Sequence, residues 1–304
     1  MRVFVTGATG FIGSAVVQEL LGAGHEVVGL ARSDQAAAAL GAAGAEVQRG
    51  SLDDLDSLRS GAAAADGVIH TAYIHDFSRM EDAANTDLAA VETLGATLEG
   101  SGRPFVITSG VALIRPGHVV TEEDGANPGS ISHPRLHTEQ TVRDMAGRGV
   151  RTSIVRPGAS VHGEGDHGFV PVLIDVARTK GVSAYIGDGA NRWPAVHRLD
   201  AAPIYRLALE KAPAASVFHA VAEEGVSTRE IAEVIGRHLD VPVVSLAPDE
   251  AAEHFGWMAA FFGIDAPASS ALTRERLGWN PVQVGLIADL EQGHYFAPAP
   301  MPAA

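Results

Sequence analysis

The sequence predicts a doubly wound parallel α/β sheet with a smaller C-terminal lobe, and three observations carry that fold class. Strand-like and helix-like segments alternate from the first residues to about residue 156. A glycine-rich turn joins the first of those strands to the first helix. Past residue 157 the alternation gives way to glycine-rich loops and an aromatic-rich segment. Such alternation implies parallel strands joined by right-handed crossovers, with ligands held at the strands' carboxyl ends.

The first strand, at 2–6, is built on the apolar run Val3-Phe4-Val5 and leads into Gly7, Gly10 and Gly13. The helix after it, at 12–23, is marked by Ile12, Val16, Val17, Leu20 and Leu21 at three- and four-residue spacing. Strands at 26–30, 45–49, 67–71, 104–108 and 151–155 and helices at 35–43, 53–60, 80–99 and 134–147 complete the alternating half. Further on, helices are expected at 169–180 and 200–211, and a strand at 216–221 that returns to the sheet. Ser227-Thr-Arg-Glu230 is a capping box opening a helix to about Leu239, with a short strand at 241–246 after it. Phe255, Trp257, Phe261 and Phe262 supply the aromatic-rich segment.

With 46% apolar and 19% charged residues in 304, the chain has the composition of a globular protein with material for a large core. Its net charge of −15 argues against nucleic acid or an anionic membrane as partner. There is no cysteine, which excludes disulfides, thiolate catalysis and Cys-ligated zinc. No apolar run reaches the length of a membrane span, and a strand beginning at residue 2 leaves no room for a leader. The expectation is a cytoplasmic protein.

Strand, glycine turn, helix is the order in which a Rossmann unit cradles a pyrophosphate. The first glycine allows the turn, the second lets backbone approach the phosphates, and the third lets helix and strand pack closely. The spacing here is G-x-x-G-x-x-G, and the expected contacts are Gly7, Thr9, Gly10, Phe11, Ile12 and Gly13. An acidic residue about 20 positions past the glycines would hold the ribose 2′-hydroxyl of NAD. That place holds Ala31, followed by Arg32 and Ser33. A guanidinium and a hydroxyl suit a 2′-phosphate, so the sequence favours NADP; the alternative is Arg32 as a solvated loop residue. Asp34 reads as a helix N-cap. Residues 1–156 are thus expected to form the NADP-binding domain, with returning segments near 196–221, and 157–304 mostly the substrate lobe.

The run T-G-A-T-G-F-I-G over residues 6–13 resembles the cofactor fingerprint of the extended and atypical short-chain dehydrogenase/reductase superfamily, which includes the epimerase/dehydratase group. The resemblance implies adenine-side contacts at Ser51, where relatives usually carry an aspartate, and at Leu52. It leaves Asp53 to favour the N-terminus of the next helix. It places Thr71 and Ala72 beside the cofactor through the fourth-strand motif Val68-Ile-His-Thr-Ala72, with His70 structural. Asn85 matches an asparagine that steadies the central strands. Pro157, within Arg156-Pro157 and ahead of Val161-His162-Gly163, would pass beside the nicotinamide. His197 and Asp200 would hold the two lobes together, and a homodimer through helices 80–99 and 134–147 is the arrangement common among relatives.

Hydride transfer to a carbonyl needs a proton donor of lowered pKa. The superfamily supplies a serine at the end of the fifth strand, a tyrosine, and a lysine four residues later. Ser109 matches the serine, the alternative being a strand-end hydroxyl bonded to backbone. With Glu139 as anchor, the tyrosine place holds Ile131 and the lysine place Arg135. Arg135 could hold the ribose or a phosphate but not titrate. Candidate replacements for the acid are Tyr73, His133 or His137, and His162 or His167. No recognised ligand spacing supports a metal site. The main expectation is an NADP(H)-dependent oxidoreductase reducing a carbonyl or related unsaturated centre of a small substrate. Two alternatives stay open: a non-catalytic NADP-binding module, and a nucleotide-sugar epimerase or dehydratase.

Overall fold

The computed structural model of the chain describes residues 1–76, 79–111, 114–125 and 133–297, the side chains of 133–136 excepted. The alternating half runs β1 (Arg2–Thr6), α1 (Phe11–Gly22), β2 (Glu26–Ala31), α2 (Asp34–Ala43), β3 (Glu46–Arg49), α3 (Leu55–Ala63), β4 (Gly67–His70), α4 (Met80–Leu98), β5 (Pro104–Thr108), α5 (His133–Ala146) and β6 (Arg151–Pro157). After it come β7 (Ser160–His162), α6 (Phe169–Lys180), β8 (Ser183–Ile186), β9 (Arg192–His197), α7 (Arg198–Lys211) and β10 (Ser216–Ala220). The remainder is β11 (Glu223–Ser227), α8 (Thr228–Leu239), β12 (Val243–Leu246), α9 (Ala251–Phe255), α10 (Ala259–Phe262), α11 (Ala271–Leu277) and α12 (Leu286–Glu291).

Seven strands form one all-parallel sheet in the order β10-β6-β5-β4-β1-β2-β3. The order reverses beside β1, and that switch point is where such sheets open a crevice for ligand. Both faces are covered, so the central strands are apolar without alternation: Val3, Phe4 and Val5 are wholly buried. On one face, Val16, Val17 and Leu20 of α1 pack with Ile204, Tyr205 and Ala208 of α7. On the other, Leu58 of α3, Val91 and Leu94 of α4 and Val142 of α5 cover Phe4, Phe105 and Ile154.

The lobe carries its own sheets, β11-β9-β7 and β12-β8. Trp193, Phe255, Met258 and Phe262 pack there with Ile231 and Ile235 of α8. The predicted capping box is present: Ser227 accepts from the Glu230 N–H, and the Glu230 side chain accepts from the Ser227 N–H. Strands β7, β8, β9 and β11 have no counterpart in the sequence expectations. At three to six residues each, they are too short for a period to show and are held by partners far along the chain. Among the described residues, no helix is long and apolar enough to cross a membrane.

Candidate active site

β1 delivers Thr6 to the crevice, where Gly7 turns the chain at a φ of +67° and its carbonyl accepts from the Gly10 N–H at 2.8 Å. A Cβ at Gly7 would lie 2.6 Å from the Ala72 nitrogen, and one at Gly13 would run into the Gly7 carbonyl and sit 2.8 Å from Thr71 Oγ1. Only hydrogen fits at both places, so strand, turn and helix come within backbone contact. Helix α1 has no side-chain cap and no acidic residue in its first turn. Its first N–H groups therefore stay available at the positive end of the helix dipole. Thr71 Oγ1 donates to the Thr6 carbonyl at 2.8 Å and fixes the opposite wall. Backbone N–H groups and close approach here are what a dinucleotide diphosphate requires, and Gly7, Thr9, Gly10, Phe11, Ile12, Gly13, Thr71 and Ala72 are the residues that could hold it.

At the far end of the crevice the expected phosphate pair dissolves into local roles. The Ser33 hydroxyl accepts from the Ala36 N–H at 3.1 Å and is itself the N-cap of α2. Asp34, expected as the cap, is the first helical residue and pairs with Arg49. Arg32 is exposed. Ser51 and Leu52 are half-buried, and Asp54 rather than Asp53 caps α3 by accepting from the Ser57 N–H at 3.1 Å.

Under the cradle lies a buried chain of side chains that the sequence reading assigned to a different residue. His70 sits between Thr6 Oγ1, 2.8 Å from Nδ1, and Asp87 Oδ1, 3.1 Å from Nε2. Asp87 as a carboxylate accepts from Nε2–H, and in the neutral imidazole Nδ1 then accepts from the threonine hydroxyl. Thr138 of α5 donates to the other Asp87 oxygen at 3.3 Å. Asp87 therefore ties α4 and α5 to the central strands, while Asn85, expected in that role, faces solvent.

At the carboxyl ends of β5 and β6 the side chains are already engaged. Thr108 donates to the His70 carbonyl at 3.0 Å and hence accepts from the Tyr205 hydroxyl, also at 3.0 Å. Ser109 is buried at the end of β5, close enough to Glu139 for its hydroxyl to favour the carboxylate. Glu139 takes two hydrogen bonds from Arg156, at 2.9 and 2.5 Å, and both members of the pair are buried. Burial alone would raise the Glu139 pKa; the hydrogen bonds and charge of Arg156 with the Ser109 hydroxyl outweigh it and hold the carboxyl below its ordinary value. Arg156 also donates to the Asp124 carbonyl at 3.0 Å, and Pro157 is buried at the strand end. Glu139 entered the sequence reading only as a register anchor. Its basic partner, 17 residues on in the next strand, becomes visible only once α5 and β6 pack together.

His219 stands beside Arg156 on the neighbouring strand β10. Burial pushes its pKa down to about 4, against the pull of Glu122. The unfolded chain takes up this proton near pH 6.5 and the folded chain only near pH 4, so stability falls as pH drops between those values. Substituting His219→Gln should flatten that slope, measured as urea midpoints at pH 7, 6, 5 and 4.

Of the replacement acids, the structure removes some from the crevice. His162 is buried with Nδ1 2.8 Å from Asp289 Oδ2, its ring edge-on to His197. Among the described residues its Nε2 has no partner and is closed off from solvent. It is part of the lobe's interior and not an accessible proton donor. Tyr295 donates to Asp166 and accepts from the Gly163 N–H, both at 3.0 Å, fixing the loop at 163–168; burial and Asp166 raise its pKa. Tyr205 is fully buried, and Tyr185 lies under Arg229. Tyr73 is half-buried in the loop after β4, its ring 5.2 Å from that of His75. His137 is exposed on α5. Ile131 and the side chains of His133 and Arg135 lie outside the described residues. His197 accepts from the Leu199 N–H at 3.2 Å. Asp200 accepts from the N–H groups of Val282 and Gln283, both at 2.9 Å, binding α7 to the segment ahead of α12.

Comparison with known proteins agrees with this architecture. The profile of the NAD dependent epimerase/dehydratase family matches residues 3–221. An uncharacterized protein of Schizosaccharomyces pombe is 52% identical over 297 residues, covering 97% of this chain and 100% of that one. The dTDP-glucose 4,6-dehydratase of Streptomyces venezuelae, solved with NAD and TYD bound, has a TM-score of 0.77 at 21% identity, covering 97% of each chain. The UDP-glucose 4-epimerase of Thermus thermophilus, solved with NAD, has a TM-score of 0.76 at 21% identity, covering 98% of this chain and all of that one. These findings overturn the expectation of NADP: the family is defined by NAD, and these solved structures hold NAD. The reading of an NADP-dependent oxidoreductase falls with it: an exposed Arg32 beside the N-cap Ser33 has a local role at the start of α2 without any phosphate. By the match over most of its length, the chain belongs to the NAD dependent epimerase/dehydratase family.

Proposed function

We propose that the protein is an NAD-dependent enzyme of the epimerase/dehydratase type, acting in the cytoplasm on a small nucleotide-linked sugar. The observation that carries the reading is the cradle at Gly7–Gly13, closed by Thr71 and Ala72, in a chain whose family is defined by that cofactor. Held by Gly7–Gly13 with Thr71 and Ala72, NAD would supply a reversible hydride acceptor for a substrate carbinol. The chain's own groups do the rest. Ser109, buried at the end of β5, offers its hydroxyl as a hydrogen-bond partner to a substrate oxygen. Tyr73, in the loop that follows β4, is assigned the proton exchange. The loop at 163–168, tied down by Tyr295, closes the lobe side of the crevice.

The test is to titrate the NAD-loaded protein with UDP-glucose and dTDP-glucose by calorimetry and follow the sugar by NMR. Epimerised or 4-keto product supports the reading. A protein that binds NAD but neither nucleotide sugar overturns it. Tyr73→Phe should lower kcat by about 100-fold or more while leaving substrate affinity within a few-fold. An unchanged kcat would remove Tyr73 from the mechanism.

A further inference from the structure

Among the described residues, the buried and half-buried arginines nearly all hold a carboxylate or a backbone carbonyl. Arg156 holds Glu139, Arg192 holds Asp265 and Arg206 holds Glu19 and Glu210. Arg198, the first residue of α7, differs. Its Nε is closed off from solvent and has no hydrogen-bond partner among the described residues, which also supply no carboxylate within ion-pair distance. That is unexpected in a chain with 37 acidic and 22 basic residues. The guanidinium lies 5.1 Å from the centroid of the Phe11 ring, a cation–π contact that fixes its place. Phe11 is the first residue of α1, on the rim of the glycine cradle. From the lobe, His167 meets the same ring edge-on at 5.8 Å.

A buried donor left without a partner is costly, and a cation held at the start of a helix that binds an anion has an evident use. We infer that Arg198 is the counter-charge for a diphosphate at the Gly7–Gly13 cradle, that of the dinucleotide. The cradle itself offers only neutral N–H groups to two negative charges, and Arg198 supplies the missing cation from a helix of the C-terminal half. Phe11 acts as its rest. The inference depends on the dinucleotide reading above and adds a ligand-binding residue outside the glycine motif.

Calorimetric titration of the full chain with NAD⁺, ADP-ribose, adenosine and UDP tests it, using wild type, Arg198→Met and Arg198→Lys. Methionine keeps the apolar stem over Phe11 and removes only the charge. Arg198→Met should weaken NAD⁺ and ADP-ribose by about 10- to 100-fold and leave adenosine within about twofold. Lysine should recover part of the loss. Unchanged NAD⁺ affinity overturns the assignment, as does an equal loss for adenosine. A loss confined to UDP also overturns it, moving the arginine to a substrate diphosphate. Wild type that binds neither NAD⁺ nor ADP-ribose brings down the cofactor reading itself, which separates that failure from the others.

Discussion

Replacing Arg156 by methionine is expected to lower the free energy of unfolding by about 3–5 kcal/mol, because it strands a buried carboxylate without its cation. Arg156 is fully buried and Glu139 almost so, and the two share two hydrogen bonds at 2.9 and 2.5 Å. The double variant Arg156→Met with Glu139→Gln should regain much of the loss, since no charge is then left buried. Urea unfolding of the three proteins measures this, and a double variant no more stable than Arg156→Met would refute the pairing argument. The pH dependence has a definite sign. Glu139 has its folded pKa held below its ordinary value of 4.5. Its contribution to stability is therefore complete above about pH 4.5 and lost as pH falls through the lower, folded value. Glu139→Gln should remove this acid-side slope. That slope lies below the range in which His219 acts, so the two titrations separate in one pH series.

What could be read from the chain follows from where the information sits. The β1–α1 unit was legible because its determinants are contiguous: an apolar strand, three glycines and a helical apolar stripe within about twenty residues. Ser227 and Glu230 were legible for the same reason. The Glu139–Arg156 pair was not, because its meaning depends on two strands and a helix assembling around it. The expectation at Asn85 missed Asp87 by two residues along α4, a step that on a helix turns a side chain from solvent to the core. Arg32 misled because a basic residue after β2 suits a phosphate and equally suits an exposed turn. The family match and the NAD-bound relatives separated the two, and Ser33 has a local role in accepting from the Ala36 N–H as the cap of α2. The lobe was least legible, since β7 and β9 are short and join residues some 35 positions apart, Val161 beside Val196.

The cradle at the head of the chain makes the sharpest demand on a single side chain. Gly13→Ala places a methyl group against the Gly7 carbonyl carbon at 2.7 Å and Thr71 Oγ1 at 2.8 Å. Neither backbone can yield without moving β1 from β4, so α1 must shift outward and carry its first N–H groups with it. The expected result is a loss of NAD⁺ affinity of about 100-fold or more, because both the dipole end and the donors leave register with the diphosphate. Overpacking should also cost about 1–3 kcal/mol of stability. Gly22→Ala in the same helix is the control, since a Cβ there meets nothing within 4 Å. It should leave binding unchanged and stability equal or higher by up to about 1 kcal/mol. The pair distinguishes close approach at the cradle from the general preference of helices for alanine. A Gly13→Ala protein that folds and takes up NAD⁺ as well as wild type would show that the diphosphate is held elsewhere, and Arg198 would lose its ligand along with the glycines.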